Sequence, residues 1–147
     1  MSKKDISIFK EALIFVKDDF VFDAINSFQF LVDNYPNSEF ADDALYNIGL
    51  CYFEIGNFLK AIDFYDIVIR NYPSSKINSS KNNNEYGLTS SKCHLSKIHC
   101  FIALNQLEKA KKELKFLEKD KNSYIMVRNQ KVTFYSLGNE AIKLSLK

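Results

Sequence analysis

The phrase Asn-Tyr-Pro occurs at Asn34–Pro36 and again at Asn71–Pro73, and the only two prolines of the 147-residue chain lie inside it. Proline lacks the backbone N–H that a helix needs and pushes the residue before it out of the helical region. Two such stops, 37 residues apart, divide the chain into copies of one unit. Ser38 and Ser75 follow each stop and suit a turn into the next copy.

Each copy reads as a pair of helices. Residues 4–17 and 20–34 form the first pair, the second helix turning Ala24, Phe28 and Leu31 inward. The second pair begins at Phe40. Leu45, Ile48, Tyr52 and Ile55 hold helical spacing, and so do Leu59, Ile62, Tyr65 and Ile69. Gly56 and Asn57 between them supply a stop and an N-cap. A polar Asn/Ser-rich insertion, 76–89, interrupts the series, and Thr89 to Ser91 offer the next N-cap. In the third pair Phe101, Asn105, Ala110 and Leu114 stand where Tyr52, Gly56, Ala61 and Tyr65 stood, with Asn122 at the proline position. The tail, 123–147, is expected to carry one helix through Ile125, Val127, Phe134 and Leu137, broken at Gly138 before a short last helix. With 4 glycines the chain has too few turn residues for an all-β fold.

Leu45, Ile48, Gly49, Tyr52, Gly56, Ala61, Tyr65 and Pro73 in register resemble the tetratricopeptide repeat, and Ile8, Ala12, Phe15, Ala24, Phe28 and Pro36 resemble it in the first copy. Gly49 and Ala61 are small where paired helices approach closely. The resemblance implies an all-α, α-solenoid fold in a single domain over 1–147. It has three helical hairpins, at about 4–37, 38–75 and 90–122, and a C-terminal capping helix within 123–147. The proline phrases and the 37-residue step also resemble repeat proteins of bacterial envelope assembly.

In that family the first helix of each hairpin lines a concave groove that holds protein segments. The resemblance assigns to the groove Phe9, Leu13 and Val16, then Asp43, Tyr46, Asn47, Leu50 and Phe53, then Lys92, Leu95, Ser96 and His99. One class of such proteins clamps C-terminal carboxylates with lysine and asparagine. Asn47 and Lys92 match that clamp, whereas Phe9, Leu13 and Ser96 do not, so chaperone-tail binding is not expected. What the resemblance implies is a non-enzymatic scaffold or adaptor whose partner is another protein, with membranes reached only through that partner. The alternative is an exported structural subunit of an envelope or membrane-associated assembly. The N-terminus shows no signal-peptide pattern, and an odd count of 3 cysteines suits a reducing compartment. The expectation is a cytoplasmic protein, or a periplasmic one if translation starts upstream.

Other chemistry has little support. Cys93, His94, His99 and Cys100 suggest zinc, but on a helix the cysteines lie about 10 Å apart along the axis. The histidines diverge by about 140°. No metal and no cofactor is expected. Lys109 to Lys121 alternate with Glu108, Glu113 and Glu118, which disfavours nucleic acid. Residues 1–75 carry a net charge of −6 and residues 76–147 of +8, a polarity that would steer charged partners.

Overall fold

The computed structural model describes residues 4–77 and 84–147. Seven helices follow one another: α1 (Lys4–Lys17), α2 (Val21–Asn34), α3 (Ala41–Glu54), α4 (Phe58–Asn71), α5 (Thr89–Ala103), α6 (Leu107–Glu118) and α7 (Phe134–Ser145). Each packs on the one before it, and α3, α5 and α7 also touch in series. The result is a stack of hairpins in which every second helix lines one face, the α-solenoid that the repeat implied.

The three hairpins turn by one device. Asp19, Gly56 and Asn105 all take positive φ, at 64°, 82° and 59°. The residue after each donates its N–H back to the helix just ended: Phe20 to Phe15 O at 2.8 Å, Asn57 to Tyr52 O at 2.8 Å, and Gln106 to Phe101 O at 2.7 Å. Glycine, asparagine and aspartate are the residues that reach the left-handed region at least cost. Asn57 then caps α4, its Oδ1 accepting from Lys60 N–H at 3.2 Å. At the far ends of α2 and α4, Tyr35 N–H bonds Leu31 O and Tyr72 N–H bonds Val68 O, immediately before the two prolines.

The core runs the length of the stack. Phe9, Phe28 and Leu31 fill the first hairpin, Tyr65 and Val68 the second, and Ile98, Leu117 and Phe134 the third and the cap. Gly49 explains one of these contacts: a Cβ there would sit 2.5 Å from Cε1 of Tyr65.

Three expectations are corrected, two of them in the tail. Residues 124–133 form no helix. They make an antiparallel hairpin of β2 (Tyr124–Val127) and β3 (Gln130–Thr133), and β1 (Glu85–Tyr86) from the insertion pairs with β2. Arg128 and Asn129 link β2 to β3, both at positive φ, as a two-residue hairpin turn requires. Gly138 does not break the tail; it lies inside α7, where an added Cβ would meet Ile98 Cδ1 at 2.8 Å. The capping helix is therefore α7 itself, entered from the hairpin and capped by Thr133, whose Oγ1 accepts from Ser136 N–H at 3.0 Å.

The insertion is anchored to the tail. Leu88 N–H donates to Ser123 Oγ at 3.0 Å, and Ser123 Oγ donates to Asp120 Oδ2 at 2.6 Å. Thr89 to Ser91 are not the N-cap of α5. Leu88 is, and the three hydroxyl residues form its buried first turn. There Ser90 Oγ donates to Pro73 O at 3.1 Å and Ser91 Oγ to Asp120. The middle of the expected 76–89 loop, residues 78–83, lies outside the described residues.

Candidate functional site

Three lining helices meet around an apolar cavity of about 340 Å³. Tyr46, Leu50 and Phe53 come from α3, at positions i, i+4 and i+7 of one face. Lys92, Leu95, Ser96 and His99 come from the matching face of α5, and Phe134 and Leu137 from α7. Ile125 of β2 and Glu85 of β1 close one end.

The floor is part of the core. Tyr46 is 8% exposed, and its ring lies 5.7 Å from that of Tyr65, the side chain for which Gly49 leaves room. Lys92 Nζ sits 4.2 Å from the Tyr46 ring centroid and 2.5 Å from Glu85 Oε1. Burial alone would lower the Lys92 pKa, but Tyr46 and Glu85 outweigh it and hold the pKa above the ordinary lysine value. The ammonium is thus charged and already engaged by a carboxylate of its own chain. Burial pushes the Tyr46 hydroxyl up, against the opposing pull of Lys92. At the rim, burial holds the His99 imidazole below the ordinary histidine value.

A second cavity of about 200 Å³ adjoins the first and shares Leu50 with it. Val16 of α1, Asn47 and Cys51 of α3, and Val21 of α2 line it, with Asp19 and Glu54 as its acidic groups.

Of the groove residues expected from the sequence, Tyr46, Leu50, Phe53, Lys92, Leu95, Ser96 and His99 come together in the larger cavity, and Val16 and Asn47 join Leu50 in the smaller. Phe9 does not face the groove. It is 2% exposed, stacked on Phe40 at 4.9 Å and edge-on to Phe28 at 5.7 Å, so it is core. Leu13 packs half-buried against that same cluster and lines neither cavity. Asp43 is buried in the first turn of α3, where its carbonyl accepts from Asn47 Nδ2 at 2.8 Å and its charge helps hold Lys92 protonated.

Glu85, Ile125, Phe134 and Leu137 were not expected at the site. One sequence signal pointed to α7: Phe134 and Gly138 repeat the four-residue spacing of Leu45 and Gly49, with Leu137 in the place of Ile48. Of the residues that suggested zinc, His99 lines the larger cavity and the other three do not. Cys93 and Cys100 are fully buried, and burial pushes the Cys100 thiol up to about 12. His94 Nδ1 lies 2.5 Å from Glu113 Oε1, with its ring stacked on Phe116. Among the described residues no cluster of three His, Cys, Asp or Glu could hold a metal, and no helix is long and apolar enough to cross a membrane.

The pattern of the tetratricopeptide repeat family matches residues 43–75. Residues 43–75 are a tetratricopeptide repeat. Around this repeat, the whole chain superposes on solved tetratricopeptide-repeat structures. The first tetratricopeptide-repeat domain of Spaghetti (RPAP3), bound to an HSP90 peptide, is similar with a TM-score of 0.67 and 18% identity, over 99% of this chain and 95% of that one. The type III secretion chaperone SycD of Yersinia enterocolitica, in complex with a peptide of the translocator YopD, is similar with a TM-score of 0.64 and 16% identity, over 100% of this chain and 98% of that one. No protein of curated function matches the sequence. The tetratricopeptide-repeat fold thus extends over all three hairpins and α7, and the larger cavity lies on the face shared by α3, α5 and α7.

Proposed function

We propose that this chain is a non-enzymatic scaffold that holds a segment of another protein in the groove between α3, α5 and α7. The observation that carries the reading is the apolar cavity itself: three helices from successive units each turn a matching face into one space of about 340 Å³. That volume falls at the lower end of ordinary ligand sites, the size for one or two bulky side chains rather than a large cofactor. Its two charged groups among the described residues, Lys92 and Glu85, are engaged with each other. The two similar structures hold peptides of other proteins. The partner is a peptide or helix segment, not nucleic acid, and the reading places the chain in the cytoplasm, where its free buried thiols stay reduced.

The test is display of peptides tiled across the source proteome, selected on the parent chain and on Leu95→Asp. A charge in the cavity wall should cost at least about tenfold in affinity, as loss of a buried anchor contact does. Peptides that bind both proteins equally, with both folded by circular dichroism, would remove the groove from the function.

A further inference from the structure

The two cavities differ in charge, and the difference selects a partner. Around the larger one, Lys92 is matched by Glu85 at 2.5 Å, so among the described residues the wall offers an incoming carboxylate no unmatched cation. The smaller cavity has the opposite character. Asp19 and Glu54 line it, and neither makes an ion pair among the described residues. Their placement follows from the fold: Asp19 is the positive-φ residue of the first hairpin turn, and Glu54 ends α3. The field of Glu54 reaches the cavity floor, where it adds to burial in pushing the Cys51 thiol up to about 11. Leu50 belongs to both cavities, so a segment seated over it touches the apolar space on one side and the acidic space on the other. Residues 1–75, which supply every residue lining the smaller cavity, carry a net charge of −6.

We infer that the groove takes a basic–apolar segment: a bulky aliphatic or aromatic side chain in the larger cavity, and a lysine or arginine beside it in the smaller one, against Asp19 and Glu54. This rests on the scaffold reading above and adds the partner's chemistry. An acidic segment would bring like charge to Asp19 and Glu54 and find Lys92 already matched, so it is disfavoured by the smaller cavity and gains nothing from the larger. The charge pairs sit at an exposed rim, so each contributes modestly to affinity and falls with salt.

The test is a phage-displayed random dodecapeptide library, panned on the full chain and on the double variant Asp19→Asn, Glu54→Gln. Asparagine keeps the left-handed conformation accessible at position 19, so the hairpin turn is retained. The parent should enrich peptides that join an aromatic or aliphatic anchor to lysine or arginine and deplete aspartate and glutamate beside it. For the best synthetic peptide, each neutralised carboxylate should weaken binding by about two- to fivefold. Enriched peptides that lose binding on Leu95→Asp yet show no basic preference, or bind the double variant as well as the parent, would overturn this inference and leave the scaffold reading in place. Failure of the library to enrich any peptide on the parent would overturn both.

Discussion

The Tyr72 hydroxyl donates a 3.1 Å hydrogen bond to the carbonyl oxygen of Pro36, so the tyrosine of the second Asn-Tyr-Pro phrase grips the proline of the first. Tyr72 also closes α4, its own N–H bonded to Val68 O at 2.8 Å. The next proline is used in the same way, with Pro73 O accepting from Ser90 at the start of α5. Each stop therefore ends one unit and ties the next unit to it. Tyr72→Phe should lower stability by about 0.5–1.5 kcal/mol, the usual net worth of one such bond. Tyr35→Phe, whose hydroxyl has no such bond among the described residues, should change stability by less than about 0.5 kcal/mol. Urea melts of the two variants check this, and equal losses would show that the Tyr72 bond does not join the units.

Gly49 and Gly56 are needed for different reasons, and substitution separates them. At Gly49 the obstacle is space, because any Cβ meets the Tyr65 ring. Gly49→Leu should cost at least about 1–3 kcal/mol through overpacking, more than the roughly 1 kcal/mol of helix propensity it gains. At Gly56 nothing lies within 4 Å of a new Cβ, but φ is +82°. Gly56→Ala should cost about 1–2 kcal/mol of backbone strain, while Gly56→Asn recovers much of it. Thermal melts of the three variants decide, and a Gly49→Leu melt equal to the parent's would refute the close approach.

A polar node across α4, α5 and α6 gives the stack a pH dependence. Lys97 Nζ lies 2.7 Å from Asp66 and 3.2 Å from Glu113, which also bonds His94. Burial raises the Glu113 pKa, but the hydrogen bond from His94 and the charge of Lys97 outweigh it and hold the carboxyl below the ordinary glutamate value. A depressed carboxylate stabilises the fold above its unfolded pKa of about 4.5 and loses that contribution as pH falls through the lower, folded value. Urea melts of the parent and of Glu113→Gln between about pH 3 and pH 7 should show a steeper acid loss in the parent. At neutral pH the variant should be weaker by about 1–3 kcal/mol, the cost of leaving a half-buried partner unsatisfied. Parallel profiles would show that Glu113 does not titrate with folding.

The helices α1 to α6 and two of the three hairpin turns were readable in the sequence because their causes are local. Apolar spacing marks one face of each helix, and Gly56 and Asn105 announce a left-handed turn. The β2–β3 hairpin was not readable because its reasons are distant. Its ten residues carry an Arg128–Asn129 turn rather than an asparagine–glycine one, and its third strand arrives from Glu85–Tyr86. Two strands alone are marginal, so the pairing depends on a contact no local pattern shows. Gly138 misled for a related reason: its close neighbour, Ile98, is on another helix. The groove divides along the same line. The resemblance assigned the faces of α3 and α5 to the groove, and their side chains line the cavities. It assigned Phe9 too, but Phe40 stacks on that ring and removes it from the groove.

The central claim is that a partner segment occupies the space between α3, α5 and α7. The most direct measurement is a set of amide chemical-shift changes, recorded on the nitrogen-15-labelled chain as the best peptide from the library is titrated in. The account predicts that the largest changes cluster at Leu50, Phe53, Leu95, His99 and Leu137 and reach Asp19 and Glu54 when the peptide carries a lysine. Changes confined to the lysine-rich outer face of α6, around Lys112 and Phe116, would contradict it.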